Sequence, residues 1–112
     1  MRSGVVGVGF MSWIHYLAYQ RSERANMVAF CSRDPQKRSG DWTGIQGNFG
    51  PPGEQIDMAG ITAYESLDAI LADDTIDLID ICLPPSLHPD AIRHSLKAGK
   101  KVLCEKPLAL DA

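Results

Sequence analysis

The 112-residue sequence predicts an α/β fold, a parallel sheet with helices on both faces, wound in the order 3-2-1-4-5. Three observations carry that expectation. Short apolar runs alternate with helix-period segments along the whole chain. The runs are near-continuously apolar, as strands buried on both faces require. The first run ends in two glycines at the opening of a helix.

Taken in order, residues 3 to 9 form the first strand, and residues 10 to 22 a helix with Phe10, Ile14, Leu17 and Ala18 at the spacing of a buried stripe. Met27 to Cys31 make a second strand. Asp34 and Pro35 then supply a cap and a first helical residue for a short helix. From 39 to 60 the composition turns rich in glycine, with Pro51-Pro52 and two exposed-type aromatics, Trp42 and Phe49. So long a loop insertion in one domain implies disorder or a binding role. Ile61 to Ala63 form the third strand, and Ser66 caps a helix carrying Leu67, Ile70 and Leu71. Ile76 to Leu83 form the fourth. After Pro84-Pro85, Ser86 to Asp90 open a helix with Ala91, Ile92 and Leu96, which Gly99 stops where φ > 0 is needed. Lys101 to Cys104 are the fifth strand.

Length allows one domain over residues 1 to 112, and a net charge of -3 argues against a nucleic-acid surface. Lys97, Lys100, Lys101 and Lys106, offset by Glu105, read as a solvated helix end. No run approaches the roughly 18 apolar residues of a membrane span, and Met1-Arg2 leads into a glycine-broken strand, so a cytoplasmic protein is expected. Cys31, Cys82 and Cys104 lie far apart at strand ends. They read as small buried side chains, and no metal site is expected.

The segment Val5-Val6-Gly7-Val8-Gly9-Phe10-Met11-Ser12 has the form of a Rossmann-type pyrophosphate turn. Gly7 makes the tight turn, and Gly9 lets the backbone approach the phosphates at the helix N-terminus. A glycine pair after an apolar run is also an ordinary turn, and Ser12 stands where Gly or Ala is wanted. At the end of the second strand, where an acidic residue would bind ribose hydroxyls, stand Ser32 and Arg33. Serine does not repel a 2′-phosphate and a guanidinium clasps it, with Arg38 or Lys37 as a second cation, so NADP is favoured over NAD. In the other reading Arg33 and Arg38 are solvated and Asp34 holds the ribose. Leu83-Pro84-Pro85-Ser86-Leu87-His88 lies at the carboxyl edge of the sheet, where His88 either contacts a ligand or shapes the loop. Cys104-Glu105-Lys106-Pro107 lies at the same edge, where Lys106 reaches a ribose or substrate oxygen unless it is simply solvated. Trp13 and His15 read as surface or packing residues, and His94 as solvent-facing.

The three loops together, Gly7-Val8-Gly9-Phe10-Met11, Pro84-Pro85-Ser86-Leu87-His88 and Ala98-Gly99-Lys100-Lys101-Val102-Leu103-Cys104-Glu105-Lys106-Pro107, resemble the N-terminal domain of a known family. It is that of glucose-fructose oxidoreductase, inositol dehydrogenase and the rhizopine-catabolism oxidoreductases. The resemblance implies hydride transfer between NAD(P) and a sugar, polyol or related hydroxyl compound. It implies cofactor contacts from Gly7, Gly9, Phe10, Met11, Ser32, Arg33, Arg38, Leu83, Pro84, His88, Glu105 and Lys106, with Lys106 also catalytic, and a cis bond before Pro107. Leu83-Pro84-Pro85 departs from the family's Thr-Pro-Asn, and Ser32 from its acidic residue. The resemblance further implies a final strand and a substrate domain beyond Ala112. The chain is thus expected to be an incomplete cofactor domain, inactive alone, with an exposed apolar edge or face and hence marginal stability or self-association. The alternative is a stand-alone dinucleotide-binding or regulatory module without catalysis.

Overall fold

Five parallel strands, β1 (Arg2–Val6), β2 (Asn26–Cys31), β3 (Thr62–Tyr64), β4 (Leu78–Ile81) and β5 (Lys101–Cys104), form one sheet in the order β3-β2-β1-β4-β5. The computed structural model describes residues 1–45 and 51–104. The helices are α1 (Phe10–Arg21), α2 (Pro35–Arg38), α3 (Leu67–Leu71) and α4 (His88–Lys97), the last entered through a 3₁₀ turn at Pro85–Leu87. The expected order and layering are therefore present: β5 matches its run, β2 and β3 lie within a residue of theirs, and β1 and β4 stop short, at Val6 rather than Gly9 and at Ile81 rather than Leu83. Among the described residues, no helix is long and apolar enough to cross a membrane.

Alternation along each strand sends side chains to two separate cores. Val6, Ala29, Cys31, Ile79 and Ile81 meet Ile70 and Ala91 from α3 and α4 on one face. Val5, Met27 and Phe30 meet Trp13 and Tyr16 from α1 on the other. The stripe expected on α1 is rotated. Ser12, Trp13 and Tyr16 are its buried residues, Phe10, Ile14 and Leu17 are half-buried, and Ala18 is exposed.

The cause is the insertion. Trp42, expected exposed, is 0% exposed and sits edge-on to Phe30 and Trp13, at ring-centroid distances of 5.3 and 6.5 Å. The described parts of the loop close on themselves through an Asp41–Gln55 bridge and bonds from Gly53 N–H to the Ile45 carbonyl and Ile56 N–H to the Gly40 carbonyl. Gly53 is required there, because a Cβ would lie 2.0 Å from the Trp42 oxygen. The loop thus covers the core as a helix would. α1 turns its aromatics toward it, and the Trp13 indole N–H donates to the Pro51 carbonyl at 2.8 Å. Neither disorder nor a binding role is needed to explain the described residues. Phe49 lies outside them.

Two smaller expectations also change. Lys100 is not a solvated charge. It is buried, and its Nζ donates to the carbonyls of Asp73 and Ile76 at 2.8 Å each, closing the turn before β4. Leu96 is exposed, because α4 turns Ala91 and Ser95 inward, the Ser95 hydroxyl donating back to the Ala91 carbonyl. His94 is exposed as expected, and Leu103 on edge strand β5 leaves apolar surface uncovered on the α1 side.

Trp42→Ala is expected to cost about 3–5 kcal/mol, read from urea unfolding with the mutant checked for folding by circular dichroism, because three aromatic rings lose a common neighbour. A second expectation concerns pH. Burial pushes the Cys31 thiol up, so above about pH 8.5 the unfolded chain releases a proton that the folded chain retains. Stability then falls as pH rises, by at most about 1.4 kcal/mol per unit for one group. Cys31→Ala should flatten that slope between about pH 8.5 and 10 in unfolding measured across the range.

Candidate dinucleotide-binding site

β1 ends at Val6, and Gly7 turns the chain at φ 92°, a conformation that favours glycine. Its N–H donates to the Cys31 carbonyl of β2 at 3.1 Å, while Cys82 N–H, just after β4, donates to the Val6 carbonyl at 2.9 Å. A Cβ on Gly7 would lie 2.9 Å from Leu83 Cδ2 and 3.3 Å from the Cys82 backbone. The turn is therefore wedged at the point where the sheet's winding reverses, between β1 and β4.

Gly9 is different. Its φ of -168° is extended backbone open to any residue, and a Cβ there would meet nothing within 4 Å among the described residues. As N-cap of α1 its carbonyl accepts from Trp13 N–H at 3.0 Å. Ser12, the departure from the expected small residue, fits: fully buried, its hydroxyl accepts from Gly9 N–H at 2.6 Å and lies 2.7 Å from the Gly9 oxygen. Phe10 and Met11, both half-buried, form the helix's opening turn, whose N–H groups have no acceptor within the helix.

At the end of β2, Ser32 N–H donates to the Tyr64 carbonyl and the Ser32 hydroxyl accepts from Asp34 N–H. The Asp34 carboxylate caps α2 by accepting from Gln36 N–H at 2.9 Å. Arg38 turns back and donates to the Ser32 carbonyl at 2.9 Å, and Lys37 Nζ donates to the Val8 carbonyl at 3.2 Å, tying α2 to the glycine turn. Arg33 is exposed.

Across the edge, Pro84 and Pro85 lead into the 3₁₀ turn, and His88 Nε2–H donates to the Leu83 carbonyl at 2.6 Å, so His88 shapes this loop. Its Nδ1 lies 3.0 Å from Cys104 Sγ at the end of β5. Glu105, Lys106 and the bond before Pro107 lie outside the described residues. A cavity of about 390 Å³ lined by Tyr16, Asn26, Asp57 and Gly60 lies at the opposite pole, by the amino ends of the strands.

Sequence reasoning missed one polar cluster. Asp80, fully buried in β4, accepts from the Tyr19 hydroxyl at 2.8 Å and from His15 Nδ1–H at 2.7 Å, with the Cys82 thiol 3.7 Å from its other oxygen. His15, read as a surface or packing residue, is a half-buried partner in this group. Cys82 is likewise half-buried rather than inert core. Atoms able to ligate a metal from His15, Asp80 and Cys82 lie within 4.8 Å of one another, a convergence the spacing did not suggest. With those donors the carboxylate is hydrogen-bonded as a buried charge must be. Burial, reinforced by the Asp80 charge, pushes the Tyr19 hydroxyl well above the ordinary phenol range. An apolar run broken by one Asp, IleAspIle at 79–81, was the available signal.

A glycine turn at the winding reversal of a parallel sheet, followed by a helix N-terminus, defines a dinucleotide-binding α/β domain. The chain belongs to the oxidoreductase family with an NAD-binding Rossmann fold, whose model matches residues 1–112. It is 38% identical over 109 residues to a D-xylose 1-dehydrogenase (NADP(+)) of Haloferax volcanii, covering 97% of this chain and 29% of that protein. It is 31% identical over 112 residues to an inositol 2-dehydrogenase of Rhizobium meliloti, covering 100% of this chain and 29% of that protein. Among solved structures, a 3-ketoreductase of Actinomadura kijaniata in complex with TDP-benzene and NADP aligns with a TM-score of 0.75 and 29% identity, over 96% of this chain and 30% of that one. The chain thus spans under a third of the length of these curated relatives.

Asp80→Ala is expected to cost about 2–4 kcal/mol in urea unfolding, since it strands the His15 and Tyr19 donors, whereas Tyr19→Phe, which removes one donor, should cost about 1 kcal/mol.

Proposed function

We propose that this chain is the cofactor-binding part of an oxidoreductase that moves a hydride between NADP and a sugar, polyol or related hydroxyl compound. The observation that carries the reading is Gly9. Neither its backbone conformation nor the packing of the described residues around it requires a glycine, yet the missing side chain leaves α1's N-terminus open on their side. A pyrophosphate needs that space and the N–H groups behind it.

The residues fit the cofactor in two further respects. Asp34 is committed to capping α2 and Arg38 to the Ser32 carbonyl, which leaves Arg33 as the exposed guanidinium beside Ser32. A 2′-phosphate finds a cation there and no carboxylate at the Ser32 position. The Haloferax relative carries NADP(+) in its name, and the Actinomadura structure contains NADP. The relatives that act on D-xylose and inositol support a polyhydroxyl substrate.

When bound, the nicotinamide supplies the site that gives or takes the hydride. This chain's part is to hold the pyrophosphate at Gly7 and Gly9, fix the adenosine end through Ser32 and Arg33, and keep the loop after β4 in place through His88. On the family resemblance, Lys106 positions the substrate hydroxyl and carries its proton at Nζ.

Titration of the chain with NADP and NAD, followed by calorimetry, tests this reading. NADP should bind more tightly, and Arg33→Ala should remove about tenfold of that preference. Gly9→Ala should weaken both cofactors at least about tenfold while shifting unfolding by no more than about 1 kcal/mol. Absence of binding at millimolar cofactor overturns the assignment, and tighter NAD binding overturns the argument from Arg33.

A further inference from the structure

The three thiols have three different surroundings. Cys31 is buried among strand residues, which favours the neutral thiol. The Cys82 thiol lies 3.5 Å from His15 Nδ1, but that nitrogen bonds Asp80 at 2.7 Å, and the Asp80 carboxylate, 3.7 Å from the sulfur, opposes a thiolate by its negative charge. Cys104 is half-buried at the carboxyl end of β5, with its sulfur 3.0 Å from His88 Nδ1.

The imidazole's orientation decides what that contact does. His88 Nε2 lies 2.6 Å from the Leu83 carbonyl, which only accepts, so Nε2 carries a hydrogen. In the neutral ring Nδ1 is then the lone-pair nitrogen, and it faces the sulfur. A thiol, a basic ring nitrogen and a carbonyl that fixes the tautomer form the arrangement that activates a sulfur nucleophile. If the proton crosses from sulfur to Nδ1, both ring N–H groups already have acceptors, the carbonyl and the thiolate. The crossover from β4 through α4 to β5 brings the two residues together across 16 positions of sequence. On α4, Asp90 and Arg93 pair with one another, and in sequence Cys104 is followed by the oppositely charged Glu105 and Lys106.

We propose that Cys104 is a modification site: a thiol deprotonated by His88 that exchanges with low-molecular-weight disulfides. The Cys104 thiolate attacks one sulfur of the small disulfide, a new S–S bond forms as the old one breaks, and the departing sulfur leaves with the bonding pair. The proton held at His88 Nδ1 passes to that leaving thiolate. Cys104 is oxidised to a mixed disulfide and the departing half of the reagent is reduced to a thiol, so no further oxidant is needed. Neither the fold nor the cofactor reading depends on this step.

The test follows the rate of modification at each cysteine from pH 5.5 to 9.5, with iodoacetamide as thiolate probe and oxidised glutathione as the disulfide. Sites are assigned by peptide mass spectrometry. The same chain in urea gives the unperturbed reference. In the native chain, Cys104 should reach its half-maximal rate at a pH at least about one unit below the unfolded reference. It should take up the glutathione adduct ahead of Cys31 and Cys82. His88→Gln should return the Cys104 profile toward the reference. A native Cys104 that is unreactive, or whose profile coincides with or lies above that of the unfolded chain, overturns the proposal without recourse to any variant. A profile unchanged in folded His88→Gln overturns it as well.

Discussion

The turn where β1 ends favours glycine, by its positive φ and by the crowding a Cβ would meet. Gly7 lies between the Cys31 carbonyl of β2 and the Cys82–Leu83 backbone and side chain beyond β4, and it turns at positive φ to launch α1 over the sheet edge. A side chain there would displace the tip of Leu83, crowd the Cys82 backbone at 3.3 Å and adopt a strained conformation at once. Because both neighbouring strands are hydrogen-bonded to this turn, the direction in which α1 departs is set relative to both. Everything on that face of the sheet is placed by that departure.

α1 meets the sheet with two chemically different sides. Trp13 and Tyr16 descend on β2 and the folded insertion, where burial of large rings supplies the cohesion. His15 and Tyr19 descend on β4, where Asp80 waits in a fully buried position. A lone carboxylate there would oppose folding by several kcal/mol. Two of its donors, His15 and Tyr19, come from one helix at positions four residues apart, so both reach the acid only when α1 lies at the correct rotation. The apolar side provides most of the stability and the polar side the specificity of orientation.

This division explains what was legible in the sequence. Strand positions, their order and the glycine turn follow from local composition and from the handedness of crossovers, which a single sequence displays. The rotation of α1 does not. Periodicity gave Phe10, Ile14, Leu17 and Ala18 an apolar stripe, but the choice of buried face belonged to Trp42, which lies 29 positions beyond Trp13 and inside a segment without periodic pattern. The Asp80–His15 pair spans 65 positions and leaves only the trace of a charge inside a strand-like run. Lys100 resembled its solvated neighbours until the turn carbonyls of Asp73 and Ile76 were seen to converge on it. Long-range polar partners leave no period in a sequence, and those were the features missed. At the site, His88 shaping its loop was legible, whereas the bond from Arg38 to the Ser32 carbonyl was not.

The two glycines of the opening motif separate what folding demands from what a ligand demands. Gly7 is required by the protein alone, through its conformation and its contact with Leu83. Gly9 is required by neither, and stability would gain from a capping Ser or Asp in its place. A position that forgoes a stabilising cap, at a helix N-terminus and beside the winding reversal of the sheet, makes sense where something outside the chain occupies the space. The same logic reads the cations. Arg38 and Lys37 are used to brace the loops around the turn, so a negative group arriving at the end of β2 is left to Arg33. These bonds tie α2 to the glycine turn and to the end of β2. Among the described residues Arg33 makes no such brace and stays exposed at the end of β2.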